Sequence, residues 1–130
     1  DPALKAQMDS LQKWGAACMQ AQGAQIIPVC QSSLDSVIKL QPSIQYVSQL
    51  MMSFMVETHA RSNLSNAYFK QENIGKHCEH AEKALLTKLY ASKYETHDFY
   101  PPIKQIADSH ILDVKTCRTI AGKPEWGADL

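Results

Sequence analysis

Four cysteines, Cys18, Cys30, Cys78 and Cys117, constrain the fold of this chain more than any other feature of its sequence. Cys18 lies near the end of one amphipathic helical pattern, and Cys30 lies near the start of the next. Cys78 opens a later helical pattern, and Cys117 lies near the end of the last one. Antiparallel packing brings the end of one helix beside the start of its neighbour. Of the three pairings that four cysteines allow, we therefore predict Cys18–Cys30 and Cys78–Cys117.

Two structural disulfides would place the protein in an oxidising compartment, so we predict a periplasmic or secreted location. The alternative is four buried free thiols that pack as small hydrophobic side chains. The chain starts at Asp1 without a charged and apolar leader. We expect that a secretory signal peptide has been removed before this residue.

Length and charge limit the classes of partner. A chain of 130 residues suits one domain with a single core. Thirteen basic and thirteen acidic residues give a formal net charge of zero, which argues against nucleic acid or an anionic membrane as the main partner. The longest apolar run, around residues 50–56, is interrupted by Ser53 and is too short to cross a membrane. We therefore expect a protein or peptide partner and no membrane insertion.

Apolar residues at three- and four-residue spacing predict about five helices and no strands. Gly23 supplies a stop for the first helix, the second ends before Pro42, and Ser43 is a good N-cap for the third. The predicted helices cover residues 2–22, 30–41, 43–70, 74–92 and 102–121. The fold class is thus an all-α antiparallel bundle.

The bundle is predicted to form one domain over residues 1–122. Residues 93–100 read as a polar and aromatic loop between the last two helices. Residues 123–130 follow Gly122 and are expected to form a loose C-terminal tail. Trp126, which lies in this tail, is the residue that could pack against the bundle.

The segment 63–85 reads NLSNAYFKQENIGKHCEHAEKAL. It resembles a tetratricopeptide repeat, which is a pair of antiparallel helices that binds peptides. The positions that carry the resemblance are Leu64, Ser65, Ala67, Tyr68, Ala84 and Leu85, with a turn at Asn73. The segment departs from the family at His77, where a small residue is usual, and at Ala81, where an aromatic residue is usual. The resemblance implies a helical hairpin used for peptide binding, and a generic amphipathic hairpin is the alternative.

The cysteine spacing is similar to that of the plant invertase and pectin methylesterase inhibitors. These proteins are helical bundles with a short-range N-terminal disulfide and a longer disulfide between two bundle helices. The chain departs from that family because little sequence follows Cys117, where the inhibitors have a further helix. The resemblance implies a helical protein of the inhibitor type.

His77, Cys78 and His80 raise the question of a metal site. The two histidines are three residues apart on a predicted helix, so they could share an ion. Further ligands are not evident nearby, and Cys78 is assigned to a disulfide. We therefore interpret His77 and His80 as surface histidines and predict no metal and no resident cofactor.

Met8 and His110 raise the alternative of a haem carrier. Soluble cytochromes of the b562 type are four-helix bundles that hold haem through a methionine and a histidine near the two chain ends, and this chain is similar in having both residues. His110 lies on the apolar side of its predicted helix, as a ligand would. A core histidine with a satisfied hydrogen bond is the other interpretation.

Met51, Met52 and Met55 cluster beside Phe54. Thioethers can bind copper(I) or adapt to varied protein partners, but the helical spacing of Met51, Phe54 and Met55 favours core packing. Met52 points away from the main apolar side. If it is exposed, it is a candidate for a partner surface.

The sequence contains no nucleophile elbow, no phosphate-binding glycine loop and no His-Glu-x-x-His motif, so we predict a non-enzymatic protein. The favoured function is an exported helical module of the binding, inhibitor or immunity type. Its partner site is predicted in the groove between helices 44–70 and 74–92, with Tyr68, His77 and His80 near the rim. A small-molecule carrier with a cavity between the helices is a further alternative.

Overall fold

A computed structural model describes residues 1–127, which form six α-helices and no strand. The helices are α1 (Pro2–Gln20), α2 (Ile26–Leu40), α3 (Val47–Lys70), α4 (Ile74–Ala91), α5 (Tyr100–Asp108) and α6 (Ile111–Ala121). The prediction of an all-α bundle is confirmed. No helix in this part of the chain is both long enough and apolar enough to cross a membrane.

The central element is α3, which is packed against α1 and α2 on one side and against α4 and α5 on the other. Leu11, Leu34 and Leu64 form the centre of the first core, between α1, α2 and α3. Met51, Ile103 and Ala91 form a second core where α3, α4 and α5 meet. Because α3 is covered on several sides, its polar residues are buried as well as its apolar ones.

Both predicted disulfides are present. Cys18 and Cys30 join the end of α1 to the start of α2, with their Cα atoms 4.6 Å apart. Cys78 and Cys117 join the first turns of α4 to the last turns of α6, with a Cα separation of 5.9 Å. Two disulfides are consistent with an oxidising, extracellular environment.

The last predicted helix is divided into α5 and α6, which is a correction to the single helix expected over residues 102–121. The break lies at Ser109 and His110. The Ser109 hydroxyl donates to the carbonyl of Ile106 at 2.5 Å, and the His110 amide donates to the carbonyl of Ala107. Side chains of this type compete with helical hydrogen bonds and favour turns. The change of direction allows His110 to point into the bundle.

The start of α3 also differs from the sequence prediction. Ser43 belongs to a short 3-10 turn after α2, where its hydroxyl donates to the carbonyl of Leu40 at 2.8 Å. The helix begins four residues later at Val47 and runs without interruption to Lys70. Pro42 explains the offset, since its ring favours a new turn directly after α2.

Residues 122–127, which follow α6, pack against the bundle and do not form the loose tail expected from the sequence. Gly122 adopts a left-handed conformation with φ of 67°, and the Lys123 amide donates to the carbonyl of Arg118 at 2.9 Å. This glycine cap reverses the chain. Trp126 then packs against the core of Ala81, Leu85, Ala107 and Val114. Residues 128–130 of the predicted tail lie outside the described residues.

Candidate functional site

The residues predicted to form the rim of a groove between α3 and α4 lie inside a packed interface. His77 and His80 are only 6% and 4% exposed, so the interpretation of both as surface histidines is wrong. Tyr68 is half-buried and stacks on His80, with ring centroids 5.8 Å apart. Ala81 and Ala84 of α4 are fully buried, and side chains this small let neighbouring helices approach closely.

A buried polar layer occupies this interface instead of a groove. Its members are Glu57, Arg61, Ser62 and Ser65 of α3, His77, His80 and Thr87 of α4, and His110 with the partly exposed Asp113 at the start of α6. Burying polar groups is costly unless each finds a partner. The layer therefore specifies how α3, α4 and the α5–α6 corner align.

Glu57 and Arg61 form the charged half of the layer. The Glu57 carboxylate accepts from Gln41 Nε2 at 2.8 Å and from Thr87 Oγ1 at 2.9 Å. Arg61 Nε lies 3.7 Å from Glu57 Oε2, and Arg61 Nη1 lies 3.2 Å from His80 Nδ1. A guanidinium can only donate, so His80 accepts at Nδ1 and its imidazole is neutral.

In the other half of the layer, an aspartate, a histidine and a serine contact one another in the same order as in the catalytic triad of a serine hydrolase. Asp113 Oδ2 lies 3.3 Å from His110 Nδ1, and His110 Nε2 lies 2.7 Å from Ser62 Oγ. Ser62, however, lies in the middle of α3 and is buried. The backbone amides around it are engaged within the helix, so no oxyanion hole forms beside its hydroxyl. These bonds clamp α3 to the corner between α5 and α6.

The same bonds bear on the haem alternative. Both ring nitrogens of His110 have partners, Ser62 and Asp113, and the ring is 2% exposed. An iron ligand needs one free imidazole nitrogen. Met8 is a half-buried residue of α1, a helix that packs on α2 and α3. The arrangement gives the Met8–His110 haem site no support, because His110 already acts as a satisfied core histidine.

The buried histidines predict a loss of stability in acid. Burial, together with the neighbouring Arg61, lowers the pKa of His80 to about 4, and burial also lowers the pKa of His110. The unfolded chain takes up these protons near pH 6.5, whereas the folded protein does so only at lower pH. The contribution of the two histidines to the unfolding free energy is therefore fully present above pH 6.5 and is lost as the pH falls toward 4. We expect His80 alone to account for a loss of about 2 kcal/mol between pH 7 and pH 4.5. Urea unfolding followed by circular dichroism at pH 7, 6, 5 and 4.5 measures it.

The matched control for this experiment is His80→Asn, which places an acceptor near the position of Nδ1 but does not titrate. Its unfolding free energy should change less with pH than that of the wild type between pH 6.5 and 4.5. Identical pH slopes for the two proteins would show that His80 does not carry the effect.

An open groove lies on the other side of α4, between α4, α6 and the segment that carries Trp126. It encloses about 530 Å³, which is in the range of ligand-binding clefts. Its lining residues are Leu85, Lys88, Ile111, Val114, Lys115, Arg118, Thr119, Lys123, Glu125 and Trp126. We call it the α4–α6 groove.

The α4–α6 groove has an apolar floor and a cationic rim. Leu85 and Val114 are buried at its base, Trp126 is half-buried, and Ile111 is 50% exposed. Such an accessible apolar surface bordered by charge is typical of a binding site. This chain matches no protein family, no curated protein and no solved structure. The geometry of the α4–α6 groove is therefore what bears on function.

The cations of the groove differ in how far their charge is neutralised. Lys88 pairs with Asp108 at 2.5 Å, and Arg118 Nε donates to Glu82 at 2.7 Å. Lys115 and Lys123 make no ion pair with any residue in 1–127. Among residues 1–127, Glu125 is the one carboxylate that lines the groove. The rim thus carries two cations that are available to an anionic ligand.

Sequence reasoning missed this groove, although signals for it exist. Gly122 after a helix, followed four residues later by Trp126, indicates a reversal that returns an aromatic side chain to the bundle. Ile111 and Lys115 are one turn apart on α6 and both line the groove. Met52, the remaining predicted partner residue, lies elsewhere, in a half-buried position between α1 and α3.

Metal ligands of the hard or borderline kind are not grouped in the described part of the chain. Within residues 1–127, no three histidine, cysteine, aspartate or glutamate side chains come together as a cluster that could hold an ion. The four cysteines are all in disulfides. Methionine thioethers are a separate class of donor.

Proposed function

We propose that this chain is an exported, non-enzymatic helical module that binds an acidic segment of another protein in the α4–α6 groove. The observation that carries the proposal is the combination of Lys115 and Lys123, which lack ion-pair partners within 1–127, with the accessible apolar floor of Ile111 and Trp126. Apolar contact supplies most of the binding energy, and the charges favour acidic partners over basic ones.

The groove is well placed to hold a peptide segment. Its floor belongs to two helices that are fixed to each other by the Cys78–Cys117 disulfide and by the Arg118–Glu82 ion pair. A site whose walls are already held in place loses little conformational entropy when a ligand binds. Trp126 presents a large aromatic surface, and aromatic side chains are frequent centres of binding energy at interfaces.

The two disulfides support the proposed periplasmic or secreted compartment. Cys18–Cys30 and Cys78–Cys117 are stable in the periplasm or outside the cell, where thiols are oxidised. The tetratricopeptide-like segment 63–85 forms the α3–α4 hairpin. The interface between its two helices is filled by the buried polar layer and offers no open groove. The α4–α6 groove therefore supports a protein-binding role better than the α3–α4 interface does.

A selection experiment tests the proposal without a known partner. A peptide library displayed on phage is selected on the disulfide-intact protein, and the winners are titrated by Trp126 fluorescence in a Trp14→Phe background. We expect peptides that combine aspartate or glutamate with large apolar residues. Lys115→Glu with Lys123→Glu should weaken their binding at least tenfold, about 1.4 kcal/mol, because it places like charges against the ligand.

The matched control is Lys13→Glu with Lys39→Glu, which changes the net charge equally on exposed positions of α1 and α2. This variant should bind as the wild type does. An equal loss of binding in both double variants, or selected peptides with no acidic preference, would contradict the proposal. Small amphipathic anions that bind in place of peptides would favour the small-molecule carrier instead.

A further inference from the structure

A second groove, of about 250 Å³, lies between α1 and α3, on a different side of the molecule from the α4–α6 groove. Its lining is almost entirely apolar and includes Gln12, Gly15, Met19, Met52, Met55 and His59. The side chains that could bind a metal are thus three thioethers and one imidazole. We call this the methionine groove.

The spacing of these residues places their donor atoms on common faces. Met52, Met55 and His59 follow one another at three and four residues along α3, which puts them on one side of the helix. Met19 lies on α1, one turn beyond Gly15. A Cβ atom added at Gly15 would lie 3.3 Å from Val56 Cγ2, so glycine permits the close approach of α1 to α3. The four donor side chains therefore line one groove from two adjacent helices.

His59 is the only one of the five histidines that makes no hydrogen bond or ion pair within residues 1–127. His77, His80 and His110 belong to the buried polar layer, and His97 accepts from the amide of Phe99 at 3.1 Å. His59 is half-buried beside the groove. A half-buried imidazole without a protein partner has its nitrogens available to a ligand.

The protonation states of the donors also suit a metal. Burial lowers the pKa of His59, so its imidazole is neutral near pH 7, which is the form that binds metals. A thioether carries no proton to displace. Thioether sulfur and imidazole nitrogen select soft or borderline ions, and Cu(I) in particular.

We propose that the methionine groove binds one Cu(I) ion through Met52, Met55 and His59, with Met19 closing the site from α1. Met19 is 62% exposed, and its unbranched side chain can turn over the groove by rotation about its own bonds. All four cysteines are held in disulfides, so the thioethers are the soft sulfur donors left in this part of the chain. The site is independent of the α4–α6 groove and of the function proposed for it.

Competition for Cu(I) tests this proposal. Disulfide-intact protein is titrated into the Cu(I) complex of bathocuproine disulfonate under anaerobic conditions, with ascorbate to keep the copper reduced. We expect one Cu(I) per chain. Met52→Leu with Met55→Leu, and separately His59→Gln, should each lower the affinity at least tenfold. Methionine and leucine have similar volumes, so these substitutions preserve packing.

The matched control is Met51→Leu. Met51 precedes Met52 in the chain but is fully buried in the core with Ala91 and Ile103, and it does not line the groove. This variant should bind Cu(I) as tightly as the wild type. Failure of the wild type to withdraw Cu(I) from the chelator would overturn the proposal, as would unchanged affinity in both groove variants. An intact mass with both disulfides present excludes cysteine as the ligand.

A measurement on the unaltered protein keeps the test valid if a variant does not fold. The protein labelled with [methyl-¹³C]methionine is titrated with Ag(I), a redox-stable substitute for Cu(I), and methyl resonances are followed by NMR. The methyl signals of Met19, Met52 and Met55 should shift together and saturate at one equivalent, whereas those of Met8 and Met51 should not. Shifts confined to Met19, or spread over all five methionines, would show adventitious binding at exposed thioethers.

Discussion

Replacing Cys78 and Cys117 with alanine should lower the unfolding free energy by about 4 kcal/mol. The bond closes a loop with a sequence separation of 39, and removing it restores conformational freedom to the unfolded chain. For a domain of this size the corresponding fall in melting temperature is roughly 15 °C. Thermal unfolding followed by circular dichroism and calorimetry measures both quantities.

The shorter disulfide provides the comparison. Cys18→Ala with Cys30→Ala opens a loop with a sequence separation of 12, and the expected loss is about 3 kcal/mol. The two losses should be close to additive because Cys18–Cys30 lies in the core between α1, α2 and α3, whereas Cys78–Cys117 joins α4 to α6. A melting temperature that does not change in either variant would show that the disulfides do not support the fold.

The Cys78–Cys117 variant has a second consequence, for binding. Among the helices, α6 is packed mainly on α4, and the disulfide holds these two walls of the α4–α6 groove together. We expect peptide affinity at this groove to fall in the variant even at temperatures where it remains folded. Cu(I) affinity should not change, since α1 and α3 form the methionine groove.

Glu57→Leu should destabilise the protein by about 3–5 kcal/mol, because it leaves the guanidinium of Arg61 buried without its carboxylate partner. The two side chains are only 12% and 9% exposed, so water cannot replace the lost interaction well. Gln41 also loses its 2.8 Å hydrogen bond to Glu57. Urea unfolding at pH 7 measures the change.

A double-mutant cycle distinguishes this effect from a simple loss of packing. Glu57→Leu combined with Arg61→Met removes both charges and keeps most of the side-chain volume. We expect the double variant to be more stable than the sum of the single losses predicts, by roughly 1–3 kcal/mol. Strict additivity would mean that the two charges do not interact appreciably in the folded protein.

The local parts of the fold could be predicted from the sequence. The cysteines lie at helix ends, and short connections force neighbouring helices to be antiparallel, so the pairing of Cys18 with Cys30 follows from adjacent segments alone. Gly23 and Pro42 mark the ends of α1 and α2 within two or three residues. These features depend on interactions between residues that are near one another in the chain.

The histidines were misplaced because hydropathy treats them as surface residues. His77 and His80 are buried because α3 presents Ser65 and Arg61 as hydrogen-bonding partners at matching heights on the facing helix. The periodicity of α4 alone cannot show which polar groups α3 presents. The break at His110 has the same origin, since the partner that draws its ring inward, Ser62, is 48 residues away in the chain.

The sequence by itself determined the helical class and the pairing of Cys18 with Cys30, because both rest on backbone preferences or on short-range connections. Only the tertiary structure decided which polar side chains are buried together and which grooves remain open. Lys115 and Trp126 come together across the reversal, and Met19 meets Met52 and His59 across two helices. The physical reason is that burial and donor geometry depend on helix packing, which is the sum of many contacts between distant parts of the chain.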